Sequence, residues 1–334
     1  MRVFAALSVV IIHATAGSTH QFHATGSWVS LDGLGTFLNQ WARFSVPLFL
    51  FLSGFGLECS ALKKKSPSWI AFYKERLVKV AFPYLFYALV VLLITWQGPV
   101  EAFEKAKNFL SVKSPDYHLY FIKIIVQCYL LFPILRHVPR LSLLIGLSFS
   151  LVYFYPGQLL FESFFGFKPF YMLASVVFPW LPYFILGILF ARNSDQKWKI
   201  SNTLSLMILA LLLLVFEYSM RAQALRFIEG ASGAYYDHFH RYTVFFYSVA
   251  TFIFFYAAKP FQKIYDLPLI KSLGKFSFFI YLAHPLFLRL AGLLGMDFFV
   301  LKALVGFWGA FGLGLVLDKL LRQSSKVRVI LGLS

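Results

Sequence analysis

The recurrence of long apolar runs constrains this chain more than any other feature. Roughly 20 apolar residues carry a helix across a bilayer. Windows approaching or exceeding that length fall at 3–17, 36–58, 77–96, 119–137, 141–155, 172–191, 202–219, 242–258, 274–291 and 298–318. Inside hydrocarbon a backbone must satisfy its own polar groups, so runs of this kind form helices. The sequence therefore predicts an all-α, polytopic integral membrane helix bundle of about ten transmembrane helices. Those crossings and their connections use up the 334 residues. One transmembrane domain over 1–334 is expected, without a sizeable soluble domain. With 59% hydrophobic and only 13% charged residues, the chain is no soluble nucleic-acid binder.

The charge is unevenly placed. The formal net charge is +17, and most lysines and arginines fall on alternate connections when the N-terminus is put in the cytoplasm. Lys63, Lys64, Lys65, Lys74, Arg76 and Lys79 form the first cluster, and Lys319, Arg322, Lys326 and Arg328 the last. By the positive-inside rule both termini are cytoplasmic. No charged leader with a small-residue cleavage site precedes the first run, so the first helix is expected to act as the targeting signal in a bacterial inner or plasma membrane. Cys59 and Cys128 stand far apart without CxxC spacing, giving neither a disulfide framework nor a metal site.

The connections assigned to the outer side, 20–35, 98–118, 156–168 and 221–241, are long and rich in aromatic, Gly and His residues. Such loops suit an external polar ligand. Trp28, Trp41, Trp96 and Trp180 are expected at headgroup level, where amphipathic rings anchor helices. Tyr235, Tyr236 and Phe239 fit sugar stacking and interface anchoring equally well. His20 with His23 and His238 with His240 form no ligand set with other residues, so no metal is expected.

Ionisable groups inside an apolar helix are costly and mark functional sites. Arg2 and His13 are the first such pair. Eleven residues at about 100° each give a turn about 20° past three full revolutions, so both project from one face, about 16 Å apart along the axis. A histidine at that depth fits two roles, general base on a hydroxyl or buried hydrogen-bond partner of a neighbouring helix.

The run from Arg2 to His13, an arginine, ten residues and a histidine, resembles the opening helix of the acyltransferase 3 family, integral membrane enzymes that O-acylate surface glycans and related acceptors. Further segments follow in order. Arg43-Phe44-Ser45-Val46-Pro47 with Ser53-Gly54-Phe55 is similar to the family's second helix. Arg76-Leu77-Val78-Lys79 leading to Pro83-Tyr84 is similar to its basic third-helix entry. His118-Leu119-Tyr120-Phe121 resembles a His-Leu-Trp-Phe start, and Tyr281-Leu282-Ala283-His284-Pro285 a late Tyr-Leu-x-His-Pro segment. The pattern departs at its start, where Met1 directly precedes Arg2. Within the family, the short chain without a hydrolase-like addition and the Phe276–Tyr281 run are similar to polysaccharide O-acetyltransferases and O-succinyltransferases.

The resemblance implies transfer of an acyl group, acetyl above succinyl, from cytoplasmic acyl-coenzyme A to a hydroxyl of a surface polysaccharide or lipid-linked glycan. It implies His13 as general base, with Arg2 orienting the donor or polarising its thioester carbonyl. Arg76 and Lys79 share a helix face and are placed for the donor's phosphates. Arg43, Ser53, His118 and His284 are the candidates for acceptor contacts. For each, a structural role stands beside the chemical one: fixing His13 or snorkelling for Arg43, close helix packing for Ser53 with Gly54, capping for His118, and a helix disturbed at Pro285 for His284. Membrane lipids are the remaining expected partner. The competing class is a permease or flippase for a polysaccharide or lipid-linked glycan, with Arg2 and His13 as a relay. A transferase for a lipid or small-molecule acceptor is a third.

Overall fold

A computed structural model describes residues 1–63, 68–110, 118–154, 177–193, 199–225, 239, 241–257 and 262–333. All regular structure among these residues is helical. The helices are α1 (Arg2–Ala14), α2 (Ala16–Thr25), α3 (Leu31–Trp41), α4 (Ser45–Lys63), α5 (Trp69–Ile94), α6 (Pro99–Leu110), α7 (Tyr120–His137) and α8 (Arg140–Phe154). They continue with α9 (Leu181–Arg192), α10 (Ile200–Leu225), α11 (Tyr242–Ala257), α12 (Gln262–Asp266), α13 (Pro268–Leu293), α14 (Phe299–Leu320) and α15 (Ser325–Leu331).

Every one of the ten apolar windows carries a helix. Among the described residues, six helical stretches are long and apolar enough to cross a membrane: Leu31–Lys63, which joins α3, a 3-10 turn and α4, and Trp69–Ile94, Tyr120–His137, Ile200–Met220, Pro268–Leu293 and Phe299–Leu320. The first window holds a bent pair, α1 with the start of α2, that qualifies only as a combined span. Arg140–Ser150, Leu181–Arg192 and Tyr242–Ala257 are apolar but shorter. The many large apolar side chains left exposed, such as Leu93, Leu212, Phe216 and Val316, lie on these helices, as expected for surfaces solvated by lipid.

Two of the connections read as outer loops contain helix instead. Between 20 and 35 only residues 26–30 lie outside α2 and α3. Gly26, at φ 64, closes α2 in the left-handed conformation, and the Ser30 hydroxyl caps α3 by accepting from the Gly33 amide at 3.0 Å. Between 98 and 118 lies α6, with Pro99 at its first position and Val100 and Phe103 exposed. Lys64, Lys65, Tyr235, Tyr236, His238, His240 and the stretch 156–168 lie outside the described residues.

The chain clusters into two compact units, residues 1–49 with 196–316 and residues 50–195 with 317–334. In the first, α1 packs on α13 and on the 3-10 turn Ala42–Phe44, α2 on α3, and α10 on α11. In the second, α5 packs on α7 and α15, and α9 on α8. The closest approach there is made by glycines. A Cβ on Gly54 would collide with the Phe184 carbonyl oxygen, and one on Gly187 with the Phe51 carbonyl oxygen, so α4 and α9 meet backbone to backbone. This is the packing role considered for Ser53-Gly54. Trp180, expected at headgroup level, is instead 1% exposed, with its ring 5.8 Å from Tyr120.

Candidate active site

The first unit brings His13 and His284 together. His13 sits in the last turn of α1, and His284 lies midway along α13, which packs against α1. Their rings stack with centroids 5.3 Å apart and planes 20° from parallel. His284 is fully buried, while His13 retains some exposure. The Nδ1 atom of His284 lies 3.1 Å from the Ile280 carbonyl oxygen; with the proton on Nδ1 that nitrogen donates, and Nε2 is the basic one. Tyr281, whose ring centroid is 6.2 Å from His284, completes the aromatic wall. The helix disturbance expected at Pro285 is not seen: α13 runs unbroken from Pro268 to Leu293. A proline loses one ladder bond, and within a packed bundle neighbouring groups make that tolerable.

The backbone breaks instead at the end of α1. The Thr15 hydroxyl donates back to the Ile11 carbonyl at 2.7 Å and lies 3.3 Å from that of Ile12. Such back-bonding bends helices, and α1 and α2 meet at 50°. Asn39 of α3 is inserted at this bend. Its Nδ2 donates to the Ile12 carbonyl at 3.0 Å and to Thr15 Oγ1 at 3.1 Å. Its Oδ1 accepts from Arg43 Nε at 3.1 Å and Nη2 at 2.6 Å. The last turn of α1, with His13, is thereby tied to a buried guanidinium, and both Arg43 and His284 interact electrostatically with His13. Arg43, in the 3-10 turn that precedes α4, does not snorkel: it is 5% exposed and lies over the Phe239 ring at 5.1 Å.

The next residue, Gln40, holds a second arginine. Arg241 Nη2 donates to Gln40 Oε1 at 2.6 Å, and Nη1 lies 3.4 Å from Glu217 Oε2, which also accepts from the Thr243 hydroxyl. Glu217 is an acidic residue inside an apolar window, the signal by which sequence reasoning could have found this cluster. Asn39 and Gln40 carry no charge and gave no such signal.

A family model described as an acyltransferase domain, that of acyltransferase 3, matches residues 1–319. The chain belongs to the acyltransferase 3 family. No curated protein and no solved structure matches it. As a member of that family it is a membrane acyltransferase, and the Arg2 to His13 helix lies within the matched region.

The remaining candidates of this acyltransferase divide between its two units. Arg2 is exposed at the start of α1, in the same unit as the histidine pair. In the other unit, Arg76 is half-buried and lines a cavity of about 180 Å³ together with Ser60, Ser68, Trp69, Phe72 and Glu75. Lys79 pairs with Glu75 at 3.1 Å on a surface where both are about half exposed. Arg76 and Lys79 therefore share a helix face, on which Lys79 is paired with Glu75 of its own helix. His118, expected at the outer surface, is 2% exposed just before α7. Ser53 is half-buried, one residue from the glycine contact.

Proposed function

We propose that this acyltransferase moves an acyl group, acetyl above succinyl, from cytoplasmic acyl-coenzyme A to a hydroxyl of an extracytoplasmic polysaccharide, working in the cell membrane with His13 as general base. The observation that supports this most directly is the stacked His13–His284 pair inside apolar helices, next to a buried arginine held by Asn39. Imidazoles are rare at such depth and are retained for proton transfer.

In the reaction, His13 takes the proton of the acceptor hydroxyl as its oxygen attacks the thioester carbonyl. The carbon–sulfur bond breaks, and the departing thiolate takes the proton back from the imidazolium. Ester and coenzyme A are the products. Arg43 and Arg2 supply positive charge for the oxyanion and the donor, Arg76 for the donor's phosphates, and His284 and His118 contacts to the acceptor. Ten crossings with both termini in the cytoplasm are part of this reading, and the positive-inside bias supports them.

The test uses membranes supplied with radiolabelled acetyl- or succinyl-coenzyme A. Wild type labels a polysaccharide fraction and His13→Ala does not, while polymer export continues in both. Lost export without consumption of acyl-coenzyme A would point to a permease, and label recovered in extracted lipid to a lipid acceptor.

A further inference from the structure

The first unit contains a cavity of about 540 Å³, well within the range of about 300–1,000 Å³ typical of ligand pockets. It does not include the histidine pair. Leu7, Trp41, Phe44, Tyr247 and Thr251 line its interior, and Phe4, Ile264, Leu269 and Trp308, all substantially exposed, form its mouth. Among the described residues, no Asp, Glu, Lys or Arg side chain lines it. Its polar side-chain groups are the hydroxyls of Tyr247 and Thr251 and the indole nitrogens of Trp41 and Trp308, and the Tyr247 hydroxyl donates to the Trp41 carbonyl at 3.0 Å. A ligand rich in amide or phosphate groups would leave them unsatisfied here, at a cost that excludes it. A hydrocarbon chain leaves nothing unsatisfied.

The dimensions fit one chain of a bilayer lipid. The wall from Tyr247 to Phe255 on α11 runs about 12 Å along the helix axis, close to half of the hydrocarbon core of about 30 Å. The surroundings carry the opposite character. Arg2 stands between the lining residues Met1 and Val3, Lys263 precedes Ile264, Lys271 follows Ile270 and Lys275 lies two residues beyond Leu273. All four cations are exposed. Asp266 pairs with Lys271 at 3.1 Å. An apolar slot beside exposed cations is complementary to an anionic amphiphile. We propose that this cavity is a binding site for one acyl chain of an anionic membrane phospholipid, whose phosphate is held by the neighbouring cations.

Native mass spectrometry of the delipidated full chain, titrated with phosphatidylglycerol or phosphatidylcholine of identical chains, tests this. Wild type is expected to retain one phosphatidylglycerol in preference to phosphatidylcholine. Thr251→Trp, which fills the slot, loses that lipid. Lys263→Gln lowers the preference about five-fold, the contribution of one cation. Equal retention of the two lipids, retention unchanged by Thr251→Trp, or palmitoyl-coenzyme A displacing phosphatidylglycerol at equal concentration would each overturn the assignment. If Thr251→Trp does not fold, Trp41 fluorescence, taken as the difference between wild type and Trp41→Phe, answers the same question. Phosphatidylglycerol with brominated chains quenches it if the chain enters, and an unquenched Trp41 refutes the site.

Discussion

Asn39 holds Arg43 through a single oxygen, which accepts from Nε at 3.1 Å and from Nη2 at 2.6 Å, while the amide nitrogen of the same side chain is spent on the end of the helix that carries His13. One neutral residue thus fixes both a buried cation and the backbone beside the proposed base. Asn39→Ala strips the guanidinium of this partner and is expected to cost about 1.5–3 kcal/mol, the usual value of a hydrogen bond to a charged group. Asn39→Asp keeps the acceptor and loses the donors. It should retain most of the thermal stability yet transfer acyl groups more slowly, a split readable from melting curves and kcat on the same preparations.

The two stacked histidines are expected to respond differently. His13→Ala should lower kcat by about 10²–10⁴, the range of general acid–base catalysis. His284→Phe preserves a flat ring against His13 but removes both nitrogens. We expect an unchanged melting temperature with kcat reduced at least about ten-fold. Full activity in His284→Phe would reduce His284 to a packing surface.

Arg76 and Lys79 separate by the same kind of measurement. Arg76→Gln should raise KM for acyl-coenzyme A by about 10–100-fold with little change in kcat, as loss of a charged hydrogen bond formed equally in ground and transition states requires. Lys79→Gln, already paired with Glu75 on the surface, should stay within about two-fold of wild type.

Gly54 makes a prediction about stability alone. Gly54→Ala forces a methyl group into the Phe184 carbonyl, and overpacking of this kind costs about 1–3 kcal/mol. Thermal unfolding in detergent should show it, with activity per folded molecule preserved.

The helices were legible where burial in hydrocarbon left a sign. Ten apolar runs each gave a helix, because a membrane asks of a segment only that it be apolar and close its own hydrogen bonds. The helices α2 and α6 were missed, since one mixes His, Ser, Thr and Gln and the other spreads four charges over 12 residues. Neither carries an apolar run. The site was legible through its costly residues. Arg2, His13 and His284 stand out against their neighbours, and the structure brings the two histidines face to face. Asn39 could not be read in this way. An uncharged amide costs little at any single position, and its importance comes from what lies on either side of it in space. The burial of Arg43 belongs to the same class, because snorkelling and internal pairing begin from an identical sequence.

The bend at Thr15 acts as a depth gauge. Thirteen residues of α1 span about 20 Å, less than the hydrocarbon thickness of about 30 Å, so the helix stops short of a full crossing and His13 lies near its inner limit. On the proposed function, a donor held among headgroups on the Arg2 side has to extend its thioester about 16 Å along α1 to meet the His13 ring.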